Sequence, residues 1–75
     1  MTNRLENIGL NIKKYRKLLK ITQVELAILV GIDRAYLSEI ENGKTNPSIS
    51  ILYAIADALN KNLSDFLNTN TEDNT

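Results

Sequence analysis

The sequence predicts an all-α protein of five helices. Three observations carry the prediction. Apolar residues recur at a spacing of three and four along most of the chain, as on one face of a helix. Capping and stop residues fall at regular intervals between these stripes. No run alternates with period two for long enough to argue for a sheet. The chain has 75 residues, of which 43% are hydrophobic, enough for one small domain and one small core.

The elements follow in order. Leu5, Ile8, Ile12 and Leu19 fit a helical stripe, with Tyr15 and Arg16 at the missing turn, and predict a first helix over residues 4–19. Ile21-Thr22 interrupts it. Thr22-Gln23-Val24-Glu25 fits a capping box, in which Thr22 accepts from first-turn amides and Glu25 reaches back. The second helix then runs over 23–30 and stops at Gly31, a favoured C-terminal residue. Asp33 is placed to cap a third helix over 34–41, with Leu37 and Ile40 as its inward pair. Asn42-Gly43 ends it. Lys44-Thr45-Asn46-Pro47 forms a loop, and Ser48 caps a fourth helix over 49–59. Ile51, Leu52, Ile55, Ala56 and Leu59 form its stripe. Asn60-Lys61-Asn62 is a turn. Ser64 is placed to cap a short fifth helix that carries Phe66 and Leu67. Residues 1–67 form the domain; residues 68–75 form a polar tail expected to be disordered.

Composition narrows the function. The chain has no cysteine and no histidine, which removes disulfides, cysteine zinc sites and every triad built on histidine. The carboxylates are spread over different helices, and no glycine-rich phosphate loop follows a strand. The expectation is a protein that is not an enzyme and holds no cofactor and no metal. No apolar run approaches a membrane span, and no basic segment followed by an apolar one opens the chain. We therefore expect no membrane partner and a cytoplasmic location.

Nine Lys and Arg balance nine Asp and Glu, but not evenly along the chain. In residues 1–20, Arg4, Lys13, Lys14, Arg16, Lys17 and Lys20 stand against Glu6 alone. In residues 45–75, Lys61 stands against Asp57, Asp65, Glu72 and Asp73. A basic half beside an acidic one suits a polyanion on one face. The same lysines also read as an ordinary solvated helix face.

The second and third helices are separated only by Gly31-Ile32-Asp33. Glycine there lets two short helices cross steeply, as in a helix-turn-helix. Ala27 is small enough to admit the next helix, and Ile32 plugs the corner. The outer side of the third helix carries Arg34, Ala35, Ser38 and Glu39. Arginine donates twice to guanine, an alanine methyl touches thymine, and serine bonds to either kind of base. The same turn also occurs in small helical bundles that bind nothing.

From Ile8 to Leu67 the sequence resembles the phage repressor/Cro-like helix-turn-helix family, also called the xenobiotic-response-element family. The carrying segment is TQVELAILVGIDRAYLSEIENGKTNPS. Within it, Thr22-Gln23, Glu25-Leu26-Ala27, Gly31-Ile32, Ile40-Glu41-Asn42-Gly43 and Asn46-Pro47-Ser48 match the family's pattern. Asp33-Arg34-Ala35-Tyr36-Leu37-Ser38 looks most like the controller proteins of restriction–modification systems. The resemblance implies a sequence-specific DNA-binding transcriptional regulator, a homodimer on a palindromic operator.

The resemblance also implies roles for single residues. Arg34, Ala35, Ser38 and Glu39 occupy base-facing positions. Glu39 departs from what a polyanion welcomes, and is either a cytosine reader or a repulsive gate. Gln23, Tyr36, Asn42, Lys44 and Asn46 fall at phosphate-contacting positions. Arg16 and Glu41 fall where the family has an ion pair between the first and third helices. Ile49, Tyr53, Leu63 and Phe66 lie off the fourth helix's inward stripe or in the next element, and are the expected dimer interface. Tyr15 and Tyr53 read as packing residues with wet hydroxyls rather than stacking platforms. Val24 and Ile28 share a face that the family usually leaves polar, which is either incidental exposure or a contact with RNA polymerase or a partner protein. The rival to a free-standing regulator is an antitoxin-type module that binds a toxin protein as well as DNA.

Overall fold

The computed structural model describes residues 4–67; the tail predicted over 68–75 lies outside them. The described residues form five helices: α1 (Arg4–Leu18), α2 (Gln23–Val30), α3 (Arg34–Glu41), α4 (Ile49–Leu59) and α5 (Leu63–Leu67). No strand occurs among them. The fold class and the bounds of α2, α3 and α4 are those the sequence predicts; α1 ends one residue earlier.

Each helix gives its apolar stripe to one core. Ile12 of α1, Leu26 and Ala27 of α2, Leu37 and Ile40 of α3, Leu52, Ile55, Ala56 and Leu59 of α4 and Phe66 of α5 are all buried. α1 packs on α3 and α5, while α2 packs on α3 and α4. Ile8, Tyr15, Ile32 and Tyr36 seal the margin of this core, half-buried. Filling one centre from every helix means that no helix is stable alone, which suits elements of 5 to 15 residues.

Two contacts set the position of α1. A Cβ on Gly9 would lie 2.4 Å from the Ile40 carbonyl oxygen and 2.5 Å from that of Glu41. α1 therefore crosses the end of α3 backbone against backbone, and only glycine permits it. On the other side, buried Asn11 donates from Nδ2 to the Phe66 carbonyl oxygen at 2.8 Å. This bond ties α5 to α1 across 55 residues of sequence.

The helix ends follow the predicted chemistry with three corrections. Thr22 Oγ1 accepts from the Glu25 amide at 3.0 Å, and Glu25 Oε1 accepts from the Thr22 amide at 2.8 Å, completing the capping box. Ser48 Oγ accepts from the Ile51 amide at 3.2 Å. Asp33 holds the N-cap position of α3 with extended dihedrals, but its carboxylate makes no cap hydrogen bond. Ser64 is not a cap: α5 begins at Leu63, and the Asn62 amide donates to Asp65 Oδ2 at 2.9 Å. The carboxylate two positions inside the helix reaches back over the turn, so the helix starts two residues before the Asp65 at which a Ser64 cap would begin it. Leu19 does not join the α1 stripe. It lies past the helix end, 50% exposed, because Lys20 turns the chain at φ 62°.

A further correction concerns the expected dimer interface. Phe66 is completely enclosed within its own chain, so it belongs to the core and offers no surface to a second copy. Leu63 is half-buried against the same core. Ile49 and Tyr53, one turn apart on α4, remain 58% and 55% exposed.

Candidate nucleic-acid interface

The interface is built on the turn between α2 and α3. Gly31 adopts φ 84°, ψ 33°, and its amide and that of Ile32 both donate to the Ala27 carbonyl oxygen, at 2.8 and 3.0 Å. The convergence closes α2 and swings the chain sharply into α3. Nothing lies within 4 Å of where a Cβ on Gly31 would stand. Glycine is needed there for its left-handed dihedral, not for space. Ala27 is buried directly beneath, and Ile32 packs half-buried at the corner.

This turn divides α3 into two faces. Leu37, Ile40 and Glu41 are buried. Arg34, Ala35 and Glu39 are exposed and Ser38 is half-exposed, so the four residues expected to read bases share the outward side. Of the residues expected at phosphates, Asn42, Lys44 and Asn46 are exposed in the segment after α3. Asn42 Nδ2 lies 3.4 Å from Ser38 Oγ. Gly43, at φ 72°, seats this segment against Glu6 at the start of α1. Tyr36 is set apart: its ring packs half-buried on the core.

Behind the outward face lies a charge pair. Arg16 donates from Nε to Glu41 Oε2 at 2.7 Å and from Nη2 to Glu41 Oε1 at 3.0 Å. Both residues are buried, at 7% and 3% exposure. Arg16 also donates from Nη1 to the Ile21 carbonyl oxygen at 3.0 Å. One guanidinium thus joins α1, the segment leading into α2, and the end of α3. This is the pair expected between helices one and three, in the bidentate geometry that arginine and carboxylate favour.

Gln23 carries a role that sequence reasoning missed. Its amide Nε2 donates to Glu41 Oε1 at 3.0 Å, and its Oε1 lies 3.5 Å from Arg34 Nη1. The sequence offers the capping pattern around Gln23 and, by resemblance, a phosphate position, but nothing there places it against a residue eighteen positions on. On α2, Val24 and Ile28 are 50% and 72% exposed, and Leu29 is 63% exposed. Val24 and Ile28, on the face that the family usually leaves polar, are thus exposed apolar residues in this structure. Lys14 and Lys61 both stand over the Tyr15 ring, at 5.0 and 4.6 Å from its centroid. Tyr15 is therefore a half-buried packing residue with cations against it, not an open platform.

Two short helices joined by a left-handed glycine, with a polar outward row on the second, decide the comparison with known proteins. The family model described as Helix-turn-helix matches residues 12–66. The chain belongs to the helix-turn-helix family. The family match begins at Ile12 and ends at Phe66, two of the fully buried residues, so it spans the packed unit. An immunity repressor protein of Bacillus phage phi105 is 48% identical over 52 residues, 69% of this chain and 36% of that one. The chain thus spans about a third of that repressor. The antitoxin PezA of Streptococcus pneumoniae is 43% identical over 53 residues, 71% of this chain and 34% of that one. Among solved structures, the restriction-modification controller protein C.Esp1396I bound to a 25 base pair operator site superposes with a TM-score of 0.76 at 32% identity. The superposition covers 88% of this chain and 87% of that one.

Proposed function

We propose that this helix-turn-helix protein is a transcriptional regulator that binds operator DNA as a homodimer, with α3 in the major groove. One observation carries the reading: Arg34, Ala35, Ser38 and Glu39 form an outward row on α3, while the opposite face of the same helix is locked into the core. A helix held that firmly behind and left polar in front is built to present side chains to a flat polar edge. Arg34 stands at the N-terminal end of the row, where a recognition helix meets bases. Asn42, Lys44 and Asn46 continue beyond α3 as the phosphate side, and the backbone amide of Gln23 at the start of α2 completes it. Support from the family comes through the phage repressor and the operator-bound controller.

The second copy docks through Ile49 and Tyr53 of α4, with Leu63 at the edge. Two exposed apolar side chains one turn apart are the start of a self-complementary patch, and a two-fold axis uses it twice. The protein works in the cytoplasm, beside its DNA, and not as an enzyme. Among the described residues no helix is long and apolar enough to cross a membrane. Purified protein, incubated with random-sequence duplex DNA, should enrich one palindromic motif, and sedimentation at micromolar concentration should give a dimer. A pool with no enriched sequence would refute operator binding; a monomer with undiminished DNA affinity would refute the dimer.

A second reading adds a protein partner. The likeness to an antitoxin and the exposed Val24, Ile28 and Leu29 on α2 support a module that also covers a toxin. RNA polymerase is the other candidate for the same face. Co-purification of a toxin encoded beside this gene separates the first from the second.

A further inference from the structure

We propose that Asn42 is a site of spontaneous modification: its side chain reacts with the Gly43 main chain and loses ammonia, at a rate set by the seating of the segment after α3. The chemistry stands on the structure alone; its effect on DNA rests on the reading proposed above.

The sequence supplies the reactive pair once. Asparagine followed by glycine occurs only at Asn42-Gly43. The step needs the main-chain nitrogen of the following residue to reach the asparagine Cγ, and glycine has no Cβ to crowd that approach. Other asparagines lack the opening. Asn46 precedes Pro47, whose nitrogen carries no hydrogen. Asn60 and Asn62 precede Lys61 and Leu63, whose side chains crowd the nitrogen. Asn7 and Asn11 lie within α1, where the helix holds the next nitrogen in place. Asn42 is exposed, and its amide is held by a long contact, Nδ2 to Ser38 Oγ at 3.4 Å.

The atoms balance with water as the one co-reactant. The Gly43 nitrogen attacks Cγ, the Cγ–Nδ2 bond breaks, and the Gly43 N–H proton leaves with Nδ2 as ammonia. A cyclic imide remains, and water opens it. Attack at Cγ frees the side chain as a carboxylate and gives aspartate. Attack at the main-chain carbonyl carbon gives isoaspartate, with the chain rerouted through Cβ and Cγ.

The folded segment holds this reaction back. Asn42 has ψ 3°, which turns the Gly43 nitrogen away from Cβ, whereas the ring needs the two eclipsed. The Gly43 amide also donates to the Ile40 carbonyl oxygen at 3.1 Å, and the Lys44 amide to that of Glu39 at 2.9 Å. Gly43 lies so close to α1 that a Cβ on it would stand 2.7 Å from Glu6 Cα. Ring closure requires this seat to open, and an exposed segment past a helix end is where local opening is easiest.

Both products change the phosphate side. Each puts a carboxylate where an amide donor stood, at the C-terminus of α3, where negative charge is unfavourable. Isoaspartate also lengthens the main chain by one carbon, and the tight seat of Gly43 on Glu6 has no room for it. Lys44 and Asn46 then lose their placement. A phosphate resting on this segment keeps the seat closed, so the free protein converts faster than the DNA-bound one.

The test follows the full chain in neutral buffer, in urea, and with the duplex it selects from a random pool. Peptide mass spectrometry locates the change, and chromatography separates the asparagine, aspartate and isoaspartate forms. Conversion at Asn42 should be fastest in urea, slower in the native chain and slowest with duplex. The converted fraction and Asn42→Asp should bind every duplex several-fold more weakly, with the larger deficit at low salt. Asn42→Gln, whose longer side chain closes such a ring poorly, should keep the affinity it starts with through the same incubation. No conversion in the native chain over a period that converts the unfolded chain overturns the proposal. Equal rates in native buffer and urea overturn control by the seat, and an equal rate with duplex overturns protection by DNA. Undiminished affinity of the converted fraction overturns the effect on DNA. Should the native chain bind no duplex, it is the DNA-binding reading that fails, and the rates in native buffer and urea still decide the modification.

Discussion

Glu41→Ala should be among the most damaging single changes in this protein. It removes both acceptors of a guanidinium that is only 7% exposed. Arg16 keeps one hydrogen bond, to the Ile21 carbonyl oxygen, and its charge is left without a counter-ion in a region that water barely reaches. Stranding one member of a buried pair costs about 3–5 kcal/mol. For a domain of this size each kcal/mol moves the melting temperature by roughly 4–8 °C. The variant should therefore melt at least about 12 °C lower, and a domain at the low end of ordinary stability, about 5 kcal/mol, would keep at most about 2 kcal/mol of it. Arg16→Ala should be similar in size, since it strands the Glu41 carboxylate and also leaves the Ile21 carbonyl unpaired. The double variant should cost far less than the two together, because no charge remains buried alone. The assay is a double-mutant cycle by chemical denaturation, with a coupling of more than about 1 kcal/mol expected. Single losses below about 1 kcal/mol, the value of an exposed pair, would show that the site is wetter than its burial implies and would refute the reasoning.

Other changes test other links. Gly9→Ala should destabilise by roughly 1–3 kcal/mol, read by thermal melting, because a Cβ there meets the carbonyl oxygens of Ile40 and Glu41 and backbone cannot step aside. Lys20→Gly should stabilise by up to about 1 kcal/mol, because Lys20 sits at φ 62°, where glycine is at ease; no gain in denaturation midpoint would argue against strain at that turn. Arg34→Ala should relax preference at one base pair of each half-site, whereas Lys44→Ala should weaken all duplexes alike and reduce the salt slope by about one. Affinities for a panel of operator variants at two salt concentrations distinguish the two, and an equal loss on every sequence for Arg34→Ala would make it a phosphate contact.

The sequence was most legible where a residue's role is local. The Thr22–Glu25 box, the Ser48 cap and the Gly31 stop act within four residues, and each is found where its chemistry predicts. The inward stripes of α3 and α4 were equally readable, because helical spacing alone sorts Leu37 and Ile40 from Arg34 and Ser38. What escaped were contacts between distant segments. Gly9 looks like any glycine in a helix until Ile40 and Glu41 are laid across it. Asn11 looks like a surface amide until Phe66 lends it a carbonyl. The sequence pattern puts Phe66 at the interface because it follows the fourth helix's inward stripe, in the element beside Ile49 and Tyr53. Packing of α1 on α5 encloses it instead. The same holds at the candidate interface. Its outward row follows from periodicity, but the bond from Gln23 to Glu41 depends on how α2 and α3 cross, which no spacing encodes.

The charge balance bears on how such an interface would discriminate. A chain with as many acids as bases has no net charge to draw it to DNA, so any attraction depends on how its charges are arranged. On the proposed reading, attraction would come from cations near the contact, such as Arg34 and Lys44, acting within a Debye length of about 8 Å at physiological salt. On the same reading, non-specific binding would be weak and would fall steeply with salt. Glu39 works in the same direction. It is exposed on the face that carries Arg34, and in the major groove a carboxylate finds a donor on cytosine or adenine but only acceptors along guanine's edge and on thymine. On the proposed reading, the row therefore holds one group that rewards guanine and one that penalises an acceptor in its place. On that reading, the mixed-charge row would select a site by rejection at Glu39 as well as by the contact Arg34 makes.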